Sequence, residues 1–248
     1  MKYFYFFTLF ILYFILNKPN DFNLNESFCS PSKNHFFGCD RIGRDILSLF
    51  CYGSISTLIV AVPSKILSIT FSLILSLISY STGRYINLII NSISSVFLSI
   101  PSLLIALVVI YSMGKSFEIF LLSLILSDWA VSFETIYSKI IEISNSGYVS
   151  ISRNFGGDNL YIFKNHIIPE LIPLLKIIFL TGIPSIIMTI SIYSYLGINF
   201  GSEFFGPGLG EQISFSKDYF DKSPFSVIMP VLGIFLLVNV FNFKKDKE

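Results

Sequence analysis

Long runs of apolar residues, separated by polar stretches, divide the chain into six segments. They are Tyr3–Leu16, Ser54–Tyr80, Ile86–Tyr111, Phe117–Tyr137, Leu171–Leu196 and Phe225–Phe243. A run of roughly 18 or more apolar residues with few charges is typical of a membrane-spanning helix. The pattern therefore predicts an all-α integral membrane protein with about six transmembrane helices.

The first segment, Tyr3–Leu16, is short for a span, but Lys2 and Lys18 can reach the lipid headgroups from its two ends. Its charged start and apolar stretch also fit a cleaved signal peptide. No small-residue cleavage site follows at Asn17–Pro19, so we expect a retained helix. The predicted organisation has three parts: a first helix and extracytoplasmic segment at 1–53, a membrane core at 54–243, and a short tail at 244–248.

Proline residues lie inside several of the later apolar segments. Membrane helices tolerate proline where neighbouring groups satisfy the freed backbone carbonyls. We therefore expect kinked and packed helices, which suit a transporter better than a simple anchor. The prolines concerned are Pro63, Pro101, Pro173, Pro184 and Pro230.

Composition narrows the class of protein. Only 13% of the residues are charged and 53% are hydrophobic, whereas soluble domains contain about 25% charged residues. This excludes an ordinary soluble enzyme. A net charge of +1 gives no reason to expect a nucleic-acid partner.

Orientation follows from lysine and arginine near the ends of the spans. The overall bias is weak, with eight such residues on one side against seven on the other. The strongest local signal is the Lys-rich tail at 244–248, which places the C-terminus in the cytoplasm. Six spans then place the N-terminus there too, in a multi-pass protein of the cell membrane. The polar loop at 138–170 becomes cytoplasmic.

This loop has the pattern of two short helices. Tyr148, Ile151 and Phe155 recur at helical spacing and give the first helix an apolar stripe. Gly156 and Gly157 end that helix and allow a sharp turn. Asp158 follows as a good N-cap for a second helix.

The second helix of the loop has its own apolar face, formed by Leu160, Phe163 and Ile167. Pro169 predicts its end, because the residue before proline is driven away from helical geometry. Two interpretations of the helix pair are open at this point. It lies on the lipid surface as an amphipathic element, or it binds a partner protein.

The spacing within the loop resembles the coupling loop of ABC importer permeases. Their pattern is Glu-Ala-Ala, three residues, Gly, nine residues, and then an apolar residue, any residue, Leu and Pro. Here Ser150–Ser152 occupies the first three places, Gly156 the glycine, and His166–Pro169 the ending. Arg153 and the "HIIP" ending suit the peptide branch of the family, whereas the Glu-Ala-Ala itself is absent.

A second stretch, "HFFGCDRIGRDILSLFCYGSISTL" at 35–58, resembles the segment before the second span of dipeptide, oligopeptide and nickel permeases. The family pattern is kept at His35, Phe37, Gly38, Asp40, Gly43, Arg44, Asp45, Leu47, Ser48, Tyr52 and Gly53. Further matches are "IPSLLIAL", Trp129, "SYLGI" and "FN" at Phe241–Asn242. The resemblance runs from about His35 to Asn242.

The resemblance implies a type I ABC importer permease fold and a role as one of two different permease subunits. Two cytoplasmic ATPase subunits would carry ATP and Mg²⁺, and an extracytoplasmic protein would deliver the substrate. It also implies which loop residues contact the ATPase: Tyr148, Ser150, Arg153, Phe155, Gly156, Gly157, Asp158, Tyr161, His166 and Pro169. The chain would then form half of the pathway for an imported peptide. A secondary carrier without an ATPase is the alternative, and the substrate stays open because related permeases serve nickel.

The motif before the second span permits two interpretations. Its charged residues form only a solvated turn, or they fix the start of the span, and we favour such a structural role over contact with the transported peptide. Asp45 suits the latter because an acidic residue is favourable in the first turn of a helix. The motif residues are His35, Gly38, Asp40, Gly43, Arg44 and Asp45.

Other local motifs indicate no chemistry. Gly114-Lys115-Ser116 lacks the earlier glycine of a phosphate-binding loop, since Val109 stands there. We expect no cofactor, metal or catalytic site on this chain, because His35 and His166 fall on opposite sides of the predicted membrane. The cysteines Cys29, Cys39 and Cys51 are expected as free thiols. An oxidising compartment would instead permit a bridge between Cys29 and Cys39.

Two charges fall inside the predicted spans. Lys65 and Asp128 each lie eleven residues from the start of their segment, roughly 16 Å deep at 1.5 Å per residue. Buried membrane charges are costly and usually paired. We predict that the two residues pair across their helices or face one aqueous pathway. The alternative is that the segment ends are misplaced and each charge has separate surroundings.

Overall fold

A computed structural model describes residues 23–114, 116–198 and 206–242. Within these ranges the regular structure is helical, and the only extended pairing is an isolated bridge between Cys39 and Asp45. The predicted all-α class is therefore confirmed. The expected helix at Tyr3–Leu16, Lys115 and the tail at 244–248 lie outside the described residues.

The helices in chain order are α1 Ile46–Ser81, α2 Arg84–Ser99, α3 Ser102–Met113, α4 Phe117–Ser144, α5 Gly147–Asn154, α6 Asn159–Ile162, α7 Ile168–Tyr195, α8 Leu209–Ser216 and α9 Phe225–Asn242. Short 3-10 turns occupy Leu24–Glu26 and Lys217–Tyr219, and a π turn occupies Phe163–Ile167. Helix α8 is an element that the hydrophobic pattern did not predict.

Three helices of the described chain are long and apolar enough to cross a membrane. They are α1, α4 and the continuous stretch Asn159–Tyr195, which joins α6, the π turn and α7. A bent pair, α2 with α3, raises the number to four if it counts as one span. Helix α9 is apolar but shorter. The described residues thus account for fewer than the six predicted spans, and the first predicted span lies outside them.

The predicted segment at Ile86–Tyr111 consists of two helices. Helices α2 and α3 meet at an angle of 98°. The break falls at Ile100, whose φ of −99° and ψ of 131° are extended. Pro101 follows it, and proline disfavours helical geometry in the residue before it. The proline therefore ends one helix here instead of kinking a single one.

The chain forms two compact units, and the boundary between them passes through α1 and α7. The terminal unit comprises Met1–Val62 and Ile183–Glu248, and the central unit comprises Pro63–Gly182. In the terminal unit, the buried side chain of Gln212 on α8 donates hydrogen bonds to the carbonyls of Leu49 and Pro207, at 2.6 and 2.9 Å. These bonds fix α8 beside the start of α1.

In the central unit, serines on α1 hold that helix against α4. Ser72 donates a hydrogen bond to the carbonyl of Trp129 at 2.8 Å, and Ser76 donates one to that of Phe133 at 3.3 Å. Both serines are fully buried. Small side chains let membrane helices approach closely, and the interhelical hydrogen bonds add to their association.

The loop between α4 and α7 is anchored by a buried apolar cluster. Ile136, Ile140 and Ile143 on α4 pack with residues of the loop and with Leu171. The loop contributes Val149, Ile162 and Ile167. Burying these side chains gives the loop a defined position on the central unit.

Candidate functional site

The turn between the two arms of the loop has the predicted form. Helix α5 ends at Asn154, and Gly156 takes a φ of +90°, a conformation that favours glycine. The backbone N–H of Gly157 then bonds the carbonyl of Ser152 at 2.9 Å. Asp158 caps the next helix, because its side chain accepts a hydrogen bond from the backbone N–H of Tyr161 at 2.7 Å. The predicted turn and N-cap are confirmed.

The predicted end of the second arm at Pro169 is wrong. The chain continues as a helix through Pro169 to Tyr195. The π turn at Phe163–Ile167 directly precedes the proline, and the N–H of Ile168 bonds the carbonyl of Phe163, five residues back. Proline in an ordinary helix clashes with the carbonyl four residues before it. We attribute the helix's continuation to the wider turn, which alters this carbonyl register.

The loop buries one set of apolar side chains and leaves another exposed. Val149, Ile162 and Ile167 are at most 1% exposed. Five other large side chains, which we call the exposed loop set, are between 43% and 88% exposed: Tyr148, Ile151, Phe155, Leu160 and Tyr161. The predicted stripe of α5 therefore points away from the chain's own core. Ser150 is exposed as well.

His166 joins the two arms of the loop. Its Nε2 lies 3.0 Å from the hydroxyl of Ser152 on α5. Its ring also lies between two tyrosines, with ring-centroid distances of 5.5 Å to Tyr148 and 5.9 Å to Tyr161. The Tyr148 hydroxyl donates a hydrogen bond to the Glu170 carboxylate, and this bond raises the pKa of Tyr148. These contacts hold the exposed loop set on a defined backbone.

Among the described residues, the partners of Arg153 are hydroxyl groups. Its guanidinium donates to the hydroxyls of Tyr80 at 3.3 Å and Ser144 at 3.4 Å, and those two hydroxyls bond each other at 2.8 Å. No carboxylate lies within 4.0 Å of it in the part of the chain that the structure describes. The sequence pattern could not indicate Tyr80, which is 73 positions away.

The motif before α1 is bonded within itself. Asp40 is only 1% exposed. It accepts hydrogen bonds from the Arg44 guanidinium, with two contacts of 2.7 Å, and from the backbone N–H groups of Ile42 and Arg44 at 3.0 and 2.9 Å. The interpretation as a merely solvated turn is therefore wrong for Asp40, which is buried.

Asp45 caps α1. One of its oxygens accepts hydrogen bonds from the N–H and hydroxyl of Ser48 at 2.8 and 2.9 Å, and the other lies 3.1 Å from His35 Nδ1. Gly38 and Gly43 have φ values of +80° and +81°, and a Cβ on them would lie 2.4 and 1.9 Å from backbone oxygens. The six motif residues thus form one tightly bonded turn at the start of α1.

The cysteines differ from the expectation of three free thiols. Cys29 and Cys39 form a disulfide, and only Cys51 is free. The Cys39 N–H bonds the Cys29 carbonyl at 3.1 Å, which brings the two Cα atoms to 4.9 Å. That separation permits a bridge. The two sulfurs and His35 lie close enough to share a metal ion, but the sulfurs are bonded to each other.

Lys65 and Asp128 lie together, in the predicted pairing across their two helices. The Lys65 Nζ is 2.6 Å from Asp128 Oδ2 and 3.2 Å from the hydroxyl of Ser132. The Ser68 hydroxyl donates to the same carboxylate oxygen at 2.7 Å. Lys65 is 2% exposed. A Cβ on Gly182 of α7 would lie 2.1 Å from Lys65 Cε, so the glycine leaves room for the lysine.

Ser68, Ser132 and Gly182 surround this pair and were not predicted from the sequence. The two serines lie three and four positions after Lys65 and Asp128, on the same helix faces as the charges. That spacing was a usable signal. Gly182 on a third helix gave none.

Two solved structures resemble the fold of this chain. A crystal structure of an amino acid ABC transporter has a TM-score of 0.65 and 20% identity, covering 78% of this chain and 89% of that one. An inward-facing structure of the MetNI methionine ABC transporter has a TM-score of 0.63 and 15% identity, covering 79% and 92%. At these identities the likeness concerns the fold alone.

Sequence comparison identifies the family. The dipeptide transport system permease protein DppC of Alkalihalophilus pseudofirmus is 25% identical over 87% of this chain and 70% of its own length. A Brucella ovis protein named as a peptide permease is 25% identical over 92% and 76%. The model of the family described as binding-protein-dependent transport system inner membrane component matches residues 68–244. This match covers more than half of a chain that also has the type I fold, so the protein belongs to this family and is a membrane-embedded permease subunit of an ABC importer, with ATP hydrolysis on a separate subunit.

Proposed function

We propose that the chain forms half of a peptide pathway, beside a second and different permease subunit. Peptide is the substrate class that the names of the Alkalihalophilus pseudofirmus and Brucella ovis relatives carry. Two ATPase subunits on the cytoplasmic side and an extracytoplasmic binding protein complete the assembly. Both termini of the chain lie in the cytoplasm, which the Lys-rich tail at 244–248 supports.

We propose further that the loop at 146–170 docks on one ATPase subunit. The observation that carries this is the exposed loop set, whose five large side chains lie on a backbone fixed by Asp158, His166 and the buried cluster. Large apolar and aromatic side chains are enriched at the centres of protein interfaces. A backbone held in its binding conformation lowers the entropic cost of association. The bonded arms supply that condition here.

Phe155→Ala tests the docking surface, because Phe155 is 88% exposed and supports nothing in the chain's own core. We expect the variant to insert normally and to lose at least about tenfold in co-purification with the ATPase, as an interface anchor would. Phe36→Ala is the matched control, since Phe36 is 69% exposed on the segment before α1. It should leave the co-purification unchanged. A Phe155→Ala importer that assembles and transports normally would rule out the docking assignment.

Substrate and coupling are tested by uptake into cells that express the whole importer. We expect a labelled dipeptide to enter and unlabelled peptides to compete with it, whereas nickel should not compete. Inactivating the ATPase subunit should abolish the uptake. Uptake that persists without the ATPase would instead indicate a secondary carrier, and competition by nickel alone would overturn the peptide assignment.

A further inference from the structure

A cavity of about 700 Å³ lies in the central unit, where α1 and α4 end and the loop begins. Tyr80 and Ser144 of those helix ends line it, together with Arg153 and Leu160 of the loop. The ends of membrane spans lie at the level where hydrocarbon gives way to lipid headgroups. Helices α1 and α4, with 36 and 28 residues, are longer than the roughly 30 Å hydrocarbon core, so we infer that the cavity lies in the headgroup region of the bilayer.

The charge of the cavity favours an anion. Arg153 is the only charged residue in the described lining, and the other lining residues are neutral. Its guanidinium has five N–H donors, and within the described ranges it bonds only two hydroxyls, at 3.3 and 3.4 Å. A guanidinium without a carboxylate partner is well suited to a phosphate or carboxylate group, which it binds through paired hydrogen bonds.

Further polar groups in the lining point to a ligand with several acceptor oxygens. The side-chain amides of Asn145 and Asn159 are exposed in the lining, and each can donate hydrogen bonds. The hydroxyl of Tyr137 is held by the Asn87 amide at 2.6 Å. Donors from two helix ends and from the loop thus surround one space.

Apart from Ser81, the rest of the lining is apolar. Leu77, Ile141, Leu160 and Phe163 supply hydrocarbon surface beside the polar groups. A free phosphate ion would gain nothing from such a wall. A lipid would, because its phosphate and its chains meet at this level. Basic pockets between membrane helices near the cytoplasmic face are suited to anionic headgroups.

We propose that this cavity binds an anionic phospholipid through its phosphate group, with Arg153 as the main partner and the apolar wall against the acyl chains. The bound lipid joins the loop to the ends of α1 and α4 through Arg153. The site is separate from the exposed loop set, except that Leu160 borders both. The proposal goes beyond peptide transport and does not depend on which substrate is carried.

The test uses the purified whole importer, stripped of lipid in detergent and titrated with phosphatidylglycerol or phosphatidylcholine, with bound lipid counted by native mass spectrometry. We expect phosphatidylglycerol to bind more tightly, and Arg153→Gln to weaken that binding about tenfold, the typical effect of losing a charge-assisted hydrogen bond. Arg84→Gln is the matched control. Arg84 is exposed at the start of α2 and does not line the cavity, so this variant should bind normally.

A second variant guards against a general effect of losing Arg153. Ser81→Phe leaves the charge unchanged and fills part of the cavity, so it should also weaken phosphatidylglycerol binding. Equal binding by Arg153→Gln and Arg84→Gln, or unaltered binding by Ser81→Phe, would overturn the proposal. Displacement of the lipid by millimolar inorganic phosphate, with the same dependence on Arg153, would assign the cavity to free phosphate and overturn the lipid as its occupant.

Discussion

The segment at 23–53 and the loop at 146–170 are both polar stretches that match one family by spacing, yet their side chains are used differently. In the segment, Asp40 is buried and bonded to Arg44, and Asp45 is bonded to His35 and Ser48. In the loop, the large side chains are exposed, and Arg153 has no carboxylate partner among the described residues.

Both regions match family motifs, but the difference in how their side chains are bonded and exposed indicates two different roles. Polar groups that satisfy one another inside the chain fix its shape, as those of the segment fix the start of α1. Exposed large side chains on a fixed backbone are typical of surfaces that bind something else. We therefore interpret the segment as scaffold and the loop as interface. Substitutions should damage folding in the first and association in the second.

The largest loss of stability is expected at Lys65 and Asp128, whose charges pair inside two predicted membrane spans. Lys65→Met or Asp128→Leu alone leaves an uncompensated charge and should cost about 3 to 5 kcal/mol. The double variant should cost less than either single one, because it removes both charges. The measurements are expression level, peptide uptake and the thermal unfolding midpoint in detergent. A double variant no better than the worse single one would contradict the pairing.

Asp40 and Asp158 permit the same chemical change in the two regions. Asp40→Asn removes the charge from a buried ion pair and should cost about 3 kcal/mol. Asp158→Asn should cost under about 0.5 kcal/mol, because asparagine caps helices about as well as aspartate. Thermal unfolding of the two variants measures both losses of stability. Equal losses would mean that the segment is no more of a scaffold than the loop.

Gly43 and Gly156 give a finer comparison, since both have positive φ values, +81° and +90°. Gly156→Ala should cost about 1 kcal/mol from backbone conformation alone, because a Cβ there meets open space. Gly43→Ala should cost about 2 kcal/mol, since its Cβ would also lie 1.9 Å from the Asn23 carbonyl oxygen. The unfolding midpoints measure both, and a larger loss for Gly156→Ala would contradict the assigned roles.

Features set by nearby residues could be predicted from the sequence. The turn at Gly156 and the cap at Asp158 depend on local spacing, and the structure has both. The pairing of Lys65 with Asp128 followed from their equal depth in two spans, together with the high cost of a lone buried charge. Each of these predictions depends only on neighbouring residues in the chain or on the depth of a residue in the membrane.

Other features could not be predicted. They depend on distant contacts, or on which of several tolerated conformations a residue adopts. Proline is accepted in membrane helices as a kink or as a break, so Pro101 alone did not indicate a bend of 98°. The bridge between Cys29 and Cys39 depends on the turn at Gly38, where the chain passes close to the Cys29 carbonyl. The predicted helix end at Pro169 was wrong because the sequence carries no recognisable signal for the π turn that precedes it.

The smallest expected effect is a dependence on pH at Glu211 of α8. Burial raises the pKa of this carboxyl above its ordinary value of 4.5, while the Arg44 charge and a hydrogen bond from the Gly208 backbone act in the opposite direction. Because the folded state holds the proton more tightly than the unfolded state, stability falls as pH rises from about 4.5 through the raised pKa. Glu211→Gln carries no charge at any pH and should remove this decline. Unfolding midpoints of both proteins from about pH 4 to about pH 8 measure the difference.

Tyr148→Phe in the loop is the control. The Tyr148 hydroxyl has a pKa above 10.0, so its removal should leave the decline intact. A decline that persists in Glu211→Gln would place its origin elsewhere in the chain.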